Sequence, residues 1–238
     1  MTVERTLGAR GEEVIAMPAP TMTLAPVAER VTALFDEIFA GIDRMRVHIE
    51  KRFAAGPVDA AAVVEVVERD ARDLLDGGHA LGAGYVAALD ALTDRPLYLA
   101  WWQGDDQQLL GESAAPASGA PFDYTRREWF RVPEETGRRH LTGPYVDFVC
   151  TDEYVVTCTM PVVTDGRMVG VVGADVLVET LEDLLLAPLS EAGATLIGEH
   201  GRTIVSADHR LAPGTLIDLG AVQERVDCAD LPLAVVRR

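Results

Sequence analysis

Lysine occurs once in this sequence, at Lys51, and every other basic side chain apart from histidine is arginine. Bases are few altogether: 21 against 38 acids, a formal net charge of −17. A chain so acidic offers no basic face for a nucleic-acid backbone and is repelled by an anionic membrane surface. Cysteine is also scarce. Cys150, Cys158 and Cys228 are odd in number and form no CxxC pair, so buried free thiols are expected, with neither a disulfide framework nor a zinc site. The five histidines are scattered without an HxxxH or HxH spacing, and neither a metal nor a cofactor is expected. No apolar window approaches the roughly 18 residues of a membrane-spanning helix. The first residues carry acids early and have no apolar core of the secretory type. A cytoplasmic protein is therefore expected, and the initiating methionine and long polar arm favour a stand-alone chain.

What remains is ordinary globular composition, 48% hydrophobic and 25% charged over 238 residues, enough for one large domain or two small ones. Residues 1–25 form a Pro-punctuated arm. From Val27 the apolar positions recur at steps of three and four up to Ile49, an amphipathic helix of about eight turns. "AAGP" at 54–57 ends it, and "VDAAAVVEVVERDARDLL" forms a second helix stopped at Gly77-Gly78. After these come short runs rich in β-branched and aromatic residues: "GYVAAL", "PLYLAWWQ", "PYVDFVC", "YVVTCTMPVV" and "RMVGVVGADVLV". The last three read as an antiparallel meander. With its turn near 151–153, the first hairpin would set Cys158 opposite about Val146. A short helix, "VETLEDLLL", leads to a second set: "ATLIGEHGRTIVSAD", "GTLIDL" and "LPLAVVRR". The expected class is α+β: a flexible arm (1–25), a helical stalk (26–76), a larger sheet unit (77–187) and a smaller one (188–238).

One stretch stands out. "PFDYTRREWFRV", residues 121–132, gathers three arginines and four rings in a chain that is only 6% aromatic. Together with "GPYVDF", "VVTCTMPV" and "DGRMVGVVGADV", in that order, it resembles the double Cache fold of bacterial sensors, and more narrowly the amino-acid-binding subset of that family. The resemblance covers about residues 25–238. It implies a long N-terminal helix and two PAS-like antiparallel-sheet subdomains, the larger one holding a small-molecule pocket. It further implies a non-catalytic sensor for an amino acid, amine or small carboxylate, a homodimer formed through the N-terminal helix, and a separate output partner. The family usually works outside the cytoplasm.

Carried over by position, the ligand-binding set is Phe122, Arg127, Trp129, Phe130, Tyr145 and Asp175; read from the residues themselves, Asp147 is a second carboxylate at the same mouth and one ring of the Trp101-Trp102 pair, Trp102, a roof. Phe122 and Phe130 stand where the subset has tyrosines, which puts the ligand's identity in question. Arg127 has the planar fork that grips a carboxylate, and Asp175 the charge that meets an ammonium. Trp129 and Tyr145 would wall the pocket. Tyr145 and Asp147, two apart on one strand, share a face.

Other readings of the same residues stay open. Arg127 could pair with Asp123, Glu128 or Glu134, and Arg126 and Arg131 are expected to be solvated. Trp129 and Phe130 could be core plugs. Asp175, in an apolar strand, needs a partner, either an internal arginine or a ligand ammonium. The stripe Val31, Leu34, Ile38, Ile42, Met45 and Ile49 could face a twin helix or its own sheet, and a pure dimerisation module is one alternative. The other is a hydrolase- or lyase-type enzyme using Asp147 and Asp175, but no nucleophile elbow, phosphate loop or metal set accompanies them.

Overall fold

The computed structural model describes residues 23–110, 123–147 and 153–238. Helix α1 spans Ala25–Ala54, 30 residues, with Pro26 in its first turn, where the missing N–H costs nothing. Lys51 and Arg52 in its last turn suit the negative end of the helix dipole. Helix α2, Ala60–Asp76, is capped by Asp59, whose side chain accepts from Ala62 N–H at 2.9 Å. No helix among the described residues is long and apolar enough to cross a membrane.

Ten strands follow among the described residues: β1 Gly82–Ala87, β2 Leu99–Gln103, β3 Gln108–Leu109, β4 His140–Asp147, β5 Glu153–Thr164, β6 Arg167–Leu177, β7 Thr195–Gly198, β8 Thr203–Ser206, β9 Glu224–Asp227 and β10 Leu233–Arg237. They form a six-stranded sheet in the order β3-β2-β1-β6-β5-β4 and a four-stranded sheet in the order β8-β7-β10-β9, antiparallel throughout. Helix α3, Glu128–Thr136, lies between β3 and β4; helix α4, Val178–Ala192, joins the two sheets. Each ends on a left-handed glycine, Gly137 and Gly193. The chain is thus α+β, a long helix followed by two antiparallel sheets.

Alternate residues on a strand point to opposite faces. On one face of the larger sheet Ala83, Tyr85, Trp102, Cys158, Val172 and Ala174 join the helices in one buried core. The α1 stripe belongs to that core: Val31, Ile38, Ile42, Met45 and Ile49 are all fully buried, and Leu34 packs against them. That stripe therefore covers its own sheet and is not the face a twin helix would meet.

Two expectations need correction. Cys158 stands opposite Leu141, not Val146: β4 and β5 pair Asp147 with Glu153, four positions from the expected register, and a bulge between Thr142 and Tyr145 shifts it by one more. Gly143, at φ +125°, makes that bulge; a Cβ there would lie 2.8 Å from the Val155 carbonyl oxygen. "GTLIDL" is not a strand: Leu216 makes a single bridge to Arg202, and the fourth strand of the small sheet is β9. The "REWF" segment is the start of a helix. Cys158 and Cys228 are free and buried, whereas Cys150 lies outside the described residues.

The small sheet is fastened beside the large one. Gly198 at the end of β7 comes against the carbonyl of Gly143, where a Cβ would be 3.4 Å away. Arg139 just before β4 reaches Asp36 of α1 at 2.9 Å and Asp230 in the β9–β10 turn at 2.5 Å, its guanidinium over the Phe39 ring.

Candidate ligand-binding site

On its other face the larger sheet carries small and polar residues where the core face carries bulk. Gly173 and Asp175 alternate on β6, Thr157 and Thr159 on β5, and Gly82 and Gly84 on β1. The β5 and β6 residues of this set are the floor of a cavity of about 870 Å³. Gly173 keeps the floor low, since a Cβ there would sit 2.7 Å from the Cys158 carbonyl oxygen, whereas the space beside Gly82 is taken by the Trp101 indole, whose ring forms part of the cavity wall.

Helix α3 forms the opposite wall. Thr159 Oγ1 donates to the Trp129 carbonyl at 2.8 Å, pinning the helix over β5. Tyr124 anchors the approach: its phenol donates to the Ala87 carbonyl at 2.7 Å and accepts from Tyr98 N–H at 3.0 Å. Burial raises that phenol to about 12. Its ring stacks on Trp129, with centroids 6.1 Å apart. Glu128, at the start of α3, meets His140 of β4 at 3.1 Å, and that contact holds its carboxyl below the usual range, with His200 adding to the effect.

At the floor, Thr157 Oγ1 donates to Asp175 Oδ1 at 2.6 Å, which leaves Tyr145 as the donor in its 2.7 Å bond to Thr157. Asp175 is 5% exposed, and burial raises its carboxyl to about 7; the Thr157 bond lowers it, and the negative charge of Asp147 raises it further. Two buried polar atoms of cavity-lining residues, Trp101 Nε1 and Thr142 Oγ1, have no partner among the described residues. Such atoms are costly to leave unpaired. The wall thus presents an acidic pair, orphaned polar atoms and aromatic rings, a donor set that fits a small polar molecule.

Of the residues singled out from the sequence, Arg127, Trp129, Tyr145, Asp147 and Asp175 all line this one cavity. Arg127 sits at the N-cap position of α3. Phe122 lies outside the described residues. Trp102 does not line the cavity; it is 1% exposed on the core face, and its neighbour Trp101 takes the cavity side, as strand parity requires of adjacent residues. Phe130 is buried behind Trp129, packed with Tyr124, Val86 and Val171, and is not on the cavity wall. Arg126 and Arg131 pair with Asp123 and Glu135 at the surface. Lining residues not assigned a binding role from the sequence include Arg95, Tyr124, Glu128, His140 and the β7–β8 turn, with Glu199, His200 and Arg202. Tyr124 could have been found beside the arginines; the turn had no local signal.

Residues 88–183, which hold most of this floor and wall, match the family model of the methyl-accepting chemotaxis protein-like first PDC sensor domain. This part of the chain is thus similar to a sensor domain of that type. It is 30% identical over 112 residues to the methyl-accepting chemotaxis protein PctB of Pseudomonas aeruginosa, a match covering 45% of this chain and 18% of that protein. With TlpQ of the same organism it shares 30% identity over 92 residues, 36% of this chain and 13% of the receptor. The matches thus span less than a fifth of those receptors' length.

Among solved structures, the ligand-binding domain of the Pseudomonas fluorescens chemoreceptor CtaA in complex with L-isoleucine superposes with a TM-score of 0.63 at 18% identity, covering 89% of this chain and 87% of that one. The domain of Pseudomonas aeruginosa PctC in complex with GABA gives 0.59 at 17%, covering 90% and 95%. These likenesses establish the shared fold.

Proposed function

We propose that this chain is a non-catalytic sensor domain that captures an amino acid or a closely related amine in the cavity of the larger sheet. The observation that carries the proposal is Asp175, a nearly buried carboxylate on the cavity floor with a hydroxyl donor on one oxygen and a second carboxylate, Asp147, close enough to raise its pKa. A ligand ammonium neutralises that pair, and Arg127 takes the ligand carboxylate through its fork. Trp129, Tyr145 and Trp101 wall the ligand, and a ring face beside an ammonium adds about 0.5–2 kcal/mol. The complexes with L-isoleucine and GABA in the same fold support this ligand class.

Catalysis by Asp147 and Asp175 is disfavoured by the family match, whose members are named for sensing. An output partner in trans belongs to the same proposal. So does a homodimer through α1, now by its outward face, where Ala33, Ala40 and Val47 recur every seven residues.

A thermal-shift panel of amino acids, amines and short carboxylic acids tests the reading. At a hundred times its dissociation constant a ligand adds about 2.7 kcal/mol, and each kcal/mol moves the midpoint of a chain this size by roughly 2–4 °C. We expect a shift of several degrees that Asp175→Ala and Arg127→Ala abolish. An equal shift in both variants, or turnover of the hit, contradicts it.

A further inference from the structure

The cavity is bordered along the β4 edge by the smaller sheet. Gly198, Glu199, His200 and Arg202 of the β7–β8 turn and Pro232 beside β10 are part of its wall. This wall is held in place: Gly198 seats against the Gly143 bulge, and the Arg139 clasp fixes the turn that carries Asp230, two residues before Pro232. From Asp175 on β6 across β5 to the β4 edge is two strand spacings, about 10 Å. Enclosing clefts for drug-sized ligands measure about 300–1,000 Å³, and 870 Å³ stands near the top of that range. An amino acid with a one- or two-carbon side chain, held by its head at Asp175 and Arg127, would leave most of this space to water and would not reach the turn. At the turn a carboxylate, an imidazole and a guanidinium follow within four residues, so acceptor and donor stand side by side.

Resting on the amino-acid reading above, we infer that the smaller sheet is a specificity wall. The ligand is an amino acid with a long side chain ending in a group that both donates and accepts hydrogen bonds, such as an amide or ureido group. Glu199 accepts from that group, and Arg202 and His200 donate to it. Recognition then needs both sheets, and an occupied cavity ties the smaller sheet to the larger one through the ligand itself.

The test is titration calorimetry with L-alanine, L-norleucine and L-citrulline, which compares a short side chain, a long apolar one and a long one with a polar end. Wild type and a Glu199→Ala/Arg202→Ala double variant are measured side by side. Both residues are exposed, so the variant should keep its fold, checked by an unchanged melting point. We expect L-citrulline to bind at least tenfold tighter than L-norleucine in wild type. The double variant should erase that preference while any affinity for L-alanine stays within about twofold. If L-alanine or L-norleucine binds as tightly as L-citrulline, or the preference survives in the variant, this inference is overturned and the amino-acid reading stands. If none of the three binds, that reading falls, and this inference with it.

Discussion

On the helix-covered face of the six-stranded sheet, β1, β5 and β6 present Ala83, Tyr85, Cys158, Val172 and Ala174; on the opposite face the same strands present Gly82, Gly84, Thr157, Thr159, Gly173 and Asp175. One face is filled to its full volume against α1 and α2. The other is hollowed by glycine and lined with polar groups, and a nearly buried carboxylate is tolerated there. Period-two alternation thus lets one set of strands hold a core and shape a cavity at once. Stability should follow the first face and binding the second.

The largest expected effect separates the two tryptophans. Trp102→Ala, on the core face, should lower unfolding stability by about 3–5 kcal/mol, read from urea denaturation. Trp101→Ala should cost clearly less stability and abolish ligand shifts. Equal stability losses would break the comparison.

Next is Gly173→Ala, which forces a methyl against the Cys158 carbonyl. A loss of about 1–3 kcal/mol is expected, with the ligand shift gone because the floor rises. A variant that binds normally would show that the hollow is not made by that glycine.

Asp175 gives a smaller effect whose sign is fixed. Its folded-state carboxyl is raised to about 7, above its ordinary value near 4, so the native state holds this proton more tightly than the unfolded chain. The associated stability is present below about pH 4 and is lost as pH rises to about 7. Asp175→Asn should therefore melt higher than wild type at pH 8, with the difference shrinking toward pH 4; a variant that melts lower at pH 8 contradicts the burial argument. The smallest effect belongs to Arg139→Ala. Its ion pairs are partly exposed, so the loss should be at most about 1 kcal/mol.

Much of this architecture was legible in residue order. The α1 periodicity, the Gly77-Gly78 stop and the meander from β4 to β6 follow from local pattern, and Tyr145, Asp147 and Asp175 from strand position and family likeness. What escaped was tertiary or irregular. The hairpin pairs Asp147 with Glu153, four positions from the register expected from the turn, and the bulge at Gly143 adds one more, so Cys158 was misplaced. Helix α3 has nine residues with Pro133 inside, too short for periodicity to declare. Parity said that Trp101 and Trp102 face opposite ways, but only the placement of the helices says which side is the core. The turn at 199–202 enters the cavity because the second sheet folds back onto the first, and nothing within the turn announces it.

The central claim is that Asp175 is the counter-ion of a ligand ammonium. It is tested most directly by titrating an amino-acid ligand near pH 7 in two buffers of different ionisation enthalpy, on wild type and Asp175→Asn. Ammonium binding requires the ionised carboxylate, so wild type should release a fraction of a proton per ligand bound, and the variant should release none and bind at least about tenfold more weakly. Equal affinity and equal proton exchange in the two proteins would contradict the account.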